Sequence, residues 1–261
     1  MFTTRPELRG TFGMVSSTHW LASQTGMAIL ERGGNAFDAA VAAGFVLQVV
    51  EPHLNGPGGD LPIILWDAHH AKVEVICGQG PAPRAASIRH FHELGLDDVP
   101  GTGLLAACVP GAFGGWLMLL GEHGTMRLRD VLQYAIEYAT SGYPMVAAIA
   151  QAITHIEPLF RSEWLESARI YLTHGVPEPG TTFRNPDLGY TYQRILEQAE
   201  GAGPERDRQI EAARRAFYEG FVAEAIDAAC RVPAIDSSGE RHAGLLTAAD
   251  LAGWRARKEP S

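Results

Sequence analysis

The sequence predicts an α/β fold: an α/β layer over residues 1–100 joined to a mainly helical lobe over 101–261, the two forming one continuous domain. Three observations carry this. The run Ala36 to Val50 has helical character and almost no side-chain bulk, and it lies between two glycine clusters, Gly33-Gly34-Asn35 and Asn55-Gly56-Pro57-Gly58-Gly59-Asp60. Two β-favouring runs follow, Leu61–Trp66 and Lys72–Cys77, spaced for a hairpin. From Leu104 onward the apolar residues recur at helical spacing, and no linker-like stretch divides the halves.

In chain order, Gly13–Ser17 reads as a short strand. Leu21–Leu30 reads as a helix closed by Gly33-Gly34, a pair suited to a helix C-cap. In Ala36–Val50, Ala39, Ala40, Ala42, Ala43 and Gly44 let another backbone or sheet approach closely. Leu61–Trp66 is nearly all apolar, which predicts an inner strand covered on both faces. Gly78–Ser87 is broken by glycine and proline at almost every step and reads as an irregular loop. In α/β folds such a loop after an inner strand either contacts ligand or merely connects to the next helix.

In the second half, helices are expected at Ala112–Leu120, Leu128–Thr140, Met145–Phe160, Phe183–Glu200 and Ala216–Cys230, with Gly121–Gly124 as a break. Glu205–Arg215 reads as a solvated helix face. Thr247 with Asp250 three residues on forms a capping box for a last helix that has barely begun when the sequence stops at Ser261.

Composition narrows the function. A formal charge of −9 without a basic patch argues against nucleic acid as partner. Three distant cysteines, Cys77, Cys108 and Cys230, make neither a disulfide framework nor a zinc pattern and read as buried free thiols. No apolar stretch approaches the roughly 20 residues of a membrane span, and the N-terminus lacks the apolar core of a signal peptide. The expectation is a soluble, cytoplasmic protein with no membrane partner.

Motifs for catalysis are sparse. Gly56-Pro57-Gly58-Gly59 lacks the Gly-Lys-Ser/Thr of a P-loop and the strand-before, helix-after setting of a dinucleotide fingerprint. His69-His70 and His90/His92 lack partners at ligand spacing and read as exposed loop histidines, so neither metal nor cofactor is implied. No Gly-x-Ser-x-Gly elbow occurs. Ser16, Ser17 and Thr18 end a strand and Thr247 is occupied as a cap. The residues alone therefore describe an α/β chain with a glycine-rich loop and no visible catalytic engine.

A series of short stretches nevertheless resembles the large, N-terminal subunit of the gamma-glutamyltransferase family, which belongs to the N-terminal-nucleophile hydrolases. The stretches are Gly13–Ser17, Ile29–Ala43, Asn55–Asp60, Ala82-Pro83, Val109–Ala112, Glu122–Met126, Ala216–Gly220 and Gly244–Leu251, all in the family's order. The resemblance implies part of a four-layer αββα sandwich and a precursor that cleaves itself to expose a threonine on the small subunit. That hydroxyl, with its own α-amine as base, attacks an amide carbonyl and passes the acyl group to water or an amine, which fits the general need of a hydroxyl for an adjacent base.

Two departures qualify this. In the family the nucleophilic threonine follows well beyond the Thr-x-x-Asp-Leu helix, so no catalytic residue is expected in this chain. It reads as a truncated large-subunit fragment, half of a split gene or an incomplete sequence, inactive without a small-subunit polypeptide carrying the threonine. Second, registering on Ala82-Pro83 puts Gln79 where the family's arginine grips the substrate carboxylate, and Gly80 at the adjacent glutamate. An amide has neither the charge nor the bidentate fork of a guanidinium, and a carboxylate buried without its charged partner costs on the order of 2–5 kcal/mol. Gamma-glutamyl or other acyl amides are therefore the expected substrates, with glutathione-type ones disfavoured. Gln79, Gly78 and Gly80 are expected to line the acyl pocket. Arg84 stands nearby, and the turn at Asn55, Gly56, Gly58, Gly59 and Asp60 sets the geometry. The rival reading is a non-catalytic chain that binds or scaffolds a separate partner, because a shortened sandwich leaves apolar surface bare.

Overall fold

The computed structural model describes residues 7–259. Its first helix, α1 (Trp20–Glu31), starts at His19, whose Nδ1 accepts the Leu21 N–H, and ends where Gly33 adopts a φ of 91° and the Gly34 N–H returns to the Ile29 carbonyl. Helix α2 (Ala36–Val50) opens with a capping box between Asn35 and Asp38. Its lack of bulk has a packing cause: a Cβ on Gly44 would lie 2.2 Å from the Trp116 ring.

Strands β1 (Leu61–Asp67) and β2 (Lys72–Gly78) form the expected antiparallel hairpin. After the loop come α3 (Ile88–Glu93), α4 (Ala112–His123), α5 (Leu128–Ser141), β3 (Tyr143–Pro144), α6 (Ala147–Ser162), α7 (Leu165–Tyr171), β4 (Thr182–Phe183), α8 (Pro186–Gly201), α9 (Arg206–Tyr218) and α10 (Phe221–Cys230). The short pair β5 (Ala234–Ile235) and β6 (Arg241–His242), then α11 (Ala248–Ala252) and β7 (Arg257–Glu259), complete the described chain. The main sheet has the order β1-β2-β7, all antiparallel.

Several expectations need correction. Gly13–Ser17 has residues alternately half-buried and exposed, as a strand would, but it pairs with no strand among the described residues, and a segment without a hydrogen-bonded neighbour is not sheet. Ala216–Cys230 is two helices, because Gly220 takes φ −115° and ψ −147°, far from helical values. Gly121 does not break α4, which runs to His123. Helix α8 begins only at Pro186, behind an Asn185 cap, while Phe183 pairs in β4. After α11 the chain returns as β7 to flank β2, so that helix is not where the structure stops.

The largest difference concerns β1. Leu61, Ile63, Leu65 and Asp67 share the face packed on helices with Glu74, Ile76 and Gly78. Pro62, Ile64 and Trp66, opposite Cys77, Val75 and Val73, share the other, and there Ile64 is 78% and Trp66 57% exposed. The continuous apolar run is that of a doubly covered strand, but the described residues supply a layer on one side only.

A single core cluster draws buried members from α1, α2, α4, α5, α6, α8, α9, α10 and α11. At its centre Phe113 of α4 stacks on Phe217 of α9 at 4.5 Å, and the Tyr192 hydroxyl of α8 donates to Gln48 of α2 at 2.6 Å. The run Glu205–Arg215 is more than a solvated face. Arg214 is buried beside Glu211 and Glu219, and Arg206 donates to the carbonyls of Met126 at 2.8 Å and Gly124 at 2.9 Å.

Candidate functional site

Three glycine-bearing backbone segments meet at the first turn of α4. Glu51, closing α2, accepts the Leu54 and Asn55 N–H groups and starts the turn toward Asp60. The Gly59 carbonyl then accepts from Gly111 at 3.0 Å and Ala112 at 2.8 Å, satisfying two N–H groups that a helix start leaves unpaired. The loop after β2 lies against the same place: the Val109 N–H donates to the Pro81 carbonyl at 3.0 Å. A Cβ on Gly80 would sit 1.7 Å from the Val109 carbonyl oxygen, and one on Gly111 would sit 1.9 Å from that of Gly78. Only glycines permit this backbone-on-backbone contact.

The same packing does not account for Gly56 or Gly58. A Cβ at either would meet nothing within 4 Å, and Asn55, Gly58 and Asp60 are exposed. Gln79 is likewise exposed at the end of β2, between buried Gly78 and half-buried Gly80. Helix α4 has no side-chain N-cap of its own. Instead the Tyr218 hydroxyl, from α9, accepts the Gly114 N–H at 2.9 Å and donates to the Pro110 carbonyl at 2.7 Å.

The structure thus gathers Gly78, Gln79, Gly80 and the Asn55–Asp60 turn around one helix start, and it sets Arg84 elsewhere. The Arg84 N–H donates to Asp250 Oδ1 at 3.1 Å, its guanidinium stands 3.9 Å from the same oxygen, and a Cβ on Gly253 would lie 2.7 Å from its Nη2. Asp250 also accepts from the Thr247 N–H and hydroxyl, so the expected capping box doubles as the anchor of the loop. Burial is the largest single influence and pushes the Asp250 carboxyl up, but these hydrogen bonds and the Arg84 charge together outweigh it and hold the carboxyl low.

Other candidates sort simply. His70 Nδ1 lies 2.6 Å from Asp67 Oδ2 in the hairpin turn, and this hydrogen bond leads in holding Asp67 down to about 2. His90 and His92 belong to α3 rather than to a loop. Cys230 is buried, Cys77 half-buried and Cys108 exposed, so burial accounts for one thiol fully and not for all three.

One cluster escaped sequence reasoning. Glu74, on the helix-facing side of β2, accepts from Lys72 at 2.6 Å, Lys258 at 2.8 Å and His123 at 3.1 Å, and Lys258 also reaches Glu122 at 2.5 Å. Glu74, Glu122 and His123 have ligand-like spacing. The Lys258 ammonium already supplies the positive charge between the two carboxylates, and hydrogen bonds from Lys258 and Lys72 hold Glu74 down to about 2. A glutamate at an inward position of the alternating β2 pattern was the available signal. Among the described residues no helix is long and apolar enough to cross a membrane.

A helix layer on one face of an antiparallel sheet, with glycine loops meeting at the strand ends and a helical lobe beside it, is the α/β layer of an N-terminal-nucleophile hydrolase. The gamma-glutamyltranspeptidase family profile matches residues 22–261. A Bacillus subtilis relative named glutathione hydrolase-like YwrD proenzyme is 36% identical over 220 residues, covering 83% of this chain and 38% of its own length. The solved structure of LmbA2991T421A superimposes with a TM-score of 0.96 at 57% identity, over 100% of this chain and 45% of that one. Gamma-glutamyltranspeptidase from Helicobacter pylori does so with a TM-score of 0.81 at 28% identity, over 97% of this chain and 67% of that one. The chain belongs to the gamma-glutamyltranspeptidase family, and it spans about two fifths of the length of the curated relatives it matches.

Proposed function

We propose that this chain is the large-subunit part of an amide-cleaving or acyl-transferring enzyme, completed by a polypeptide whose N-terminal threonine is the nucleophile. Family membership supports the chemistry, and the relatives named proenzymes support a processed partner. The observation that carries the site is the meeting of the Asn55–Asp60 turn, the Gly78–Gly80 loop and the start of α4, with Gln79 exposed beside them. In this reading Gln79 and the backbone of Gly78 and Gly80 line the acyl pocket. Arg84, tied to Asp250, positions that loop. Gly56 and Gly58, free of packing demands in this chain, leave room for substrate or for the partner's backbone. The exposed face carrying Ile64 and Trp66 receives the second sheet of the sandwich.

Because Gln79 stands at the arginine position, the preferred substrates are small amides without a free α-carboxylate rather than glutathione. The test is intact-mass analysis and N-terminal sequencing of the native protein, then a panel of amides with and without that carboxylate. A second polypeptide beginning with threonine, and faster cleavage of carboxylate-free amides, is the expected result. A single uncleaved species without amidase activity overturns it. That outcome would favour the second reading, a chain that only docks a partner through the Ile64 and Trp66 face.

A further inference from the structure

A cleft of about 260 Å³ lies between α6 and the turn that leaves α2. Pro52 and His53 form one wall, Ile149, Ile153 and Ile156 the other, and Tyr171 closes one end. The closed end is aromatic and flat: Tyr171 lies 6.0 Å from Phe160 at 27° and 5.7 Å from Phe183 at 3°. No acidic or basic side chain, histidine apart, lines it among the described residues.

Two polar side chains stand beside this hydrocarbon surface. His53 has a buried Nδ1 with no hydrogen-bond partner among the described residues. The Tyr171 hydroxyl is pushed up by burial alone, with no hydrogen bond contributing. An apolar pocket with a few convergent polar groups is the usual form of a small-molecule site, and this one falls just below the roughly 300–1,000 Å³ of pockets for larger ligands. A charged occupant would be desolvated with no counter-charge to meet it. A flat ring on a short linker fits the volume and can stack on Tyr171.

The position adds a second argument. His53 stands two residues before Asn55, so one wall of the cleft runs on directly into the turn that reaches the start of α4. We propose that the cleft receives the uncharged aryl end of an arylalkyl amide, stacked on Tyr171 beside the His53 imidazole. This rests on the Asn55–Asp60 turn being part of the substrate wall, and it names the substrate class: amides carrying an aryl group.

The test uses the native protein as isolated and 4-fluorophenylacetamide as a fluorine-NMR probe. Ala152→Phe and Ile156→Trp each fill the cleft from half-buried helix positions, and circular dichroism checks that both variants fold. Saturable binding to the wild type, displaced by phenylacetamide but not acetamide and weakened at least tenfold in both variants, is expected. Ala152→Phe should also raise KM for a phenylacetyl anilide about tenfold, leaving kcat and the acetyl anilide unchanged. No saturable binding, or equal binding by wild type and both variants, overturns the cleft. Binding that behaves as expected while KM stays put overturns its assignment to substrate. Binding without cleavage of any amide instead removes the functional reading on which that assignment rests.

Discussion

The Asp38 carboxylate of α2 holds Thr125 by two groups at once: the Thr125 N–H reaches Oδ1 at 2.9 Å and its hydroxyl reaches Oδ2 at 2.8 Å. Met126 adds a third contact at 3.0 Å, and the Asn35 N–H a fourth at 2.9 Å. One fully buried carboxylate thus closes the capping box of α2 and fixes the bend between α4 and α5. The stretches Ile29–Ala43 and Glu122–Met126 are far apart in sequence and form one hydrogen-bonded unit.

Replacing Asp38 with Ala should destabilise the protein by about 3 kcal/mol or more, since hydrogen bonds to charged groups contribute about 1.5–3 kcal/mol each and the orphaned donors stay buried. Urea unfolding gives the number. A loss within experimental error would mean that water replaces the carboxylate.

Tyr218→Phe leaves the Gly114 N–H and the Pro110 carbonyl without their partner in a buried site. The expected loss is about 1–3 kcal/mol. Hydrogen exchange at Gly114 should speed up more than in the middle of α9; uniform acceleration would point to general loosening and not to a missing cap.

His19 supplies a pH dependence. Burial lowers its pKa below the ordinary 6.5, and the Glu51 carboxylate opposes this only in part. The neutral ring is favoured, as it must be for Nδ1 to accept the Leu21 N–H. A folded pKa below the unfolded one means this stability is fully present above about pH 6.5 and is lost as pH falls through the folded value. Melting temperature should fall more steeply on acidification in wild type than in His19→Asn, because asparagine caps a helix without titrating. Parallel curves would exclude His19 as the cause.

Gly111→Ala and Gly58→Ala should separate packing from function. The first drives a Cβ to 1.9 Å from the Gly78 carbonyl, and the expected cost is about 2 kcal/mol or more. The second points into open space and should leave stability within about 0.5 kcal/mol. If the turn borders substrate or the partner, Gly58→Ala lowers amide cleavage at unchanged melting temperature; full activity would leave that turn a purely structural element.

Gln79→Arg should shift preference toward γ-glutamyl amides by about 30-fold or more, the equivalent of roughly 2 kcal/mol for restoring a charged partner to a buried carboxylate. Competitive turnover of a γ-glutamyl and a phenylacetyl anilide reads the ratio directly. An unchanged ratio would remove residue 79 from the acyl pocket.

Local rules made much of this chain legible. Helix α2, the hairpin, the capping box at Thr247 and the irregular loop after β2 follow from periodicity, cap chemistry and glycine placement, because these depend on residues a few positions apart. The gap at Gly220 and the short helices α3 and α7 were missed, since single glycines and brief apolar patterns underdetermine backbone geometry. Of the candidate site, Gln79 and its glycines rest on register with a family motif. The attachment of Arg84 to Asp250 could not be, as nothing near Arg84 in sequence specifies a partner 166 residues away.

The sequence by itself determined most of the secondary-structure plan and the resemblance to the family. Tertiary structure alone decided why the glycines at 78, 80 and 111 are needed, which carboxylate ties α2 to the α4–α5 bend, and which sheet face stays open. The physical reason is range. Caps and periodicity act within a turn or two of helix, whereas close backbone approach and buried charge are set by segments that only folding brings within about 3 Å of one another.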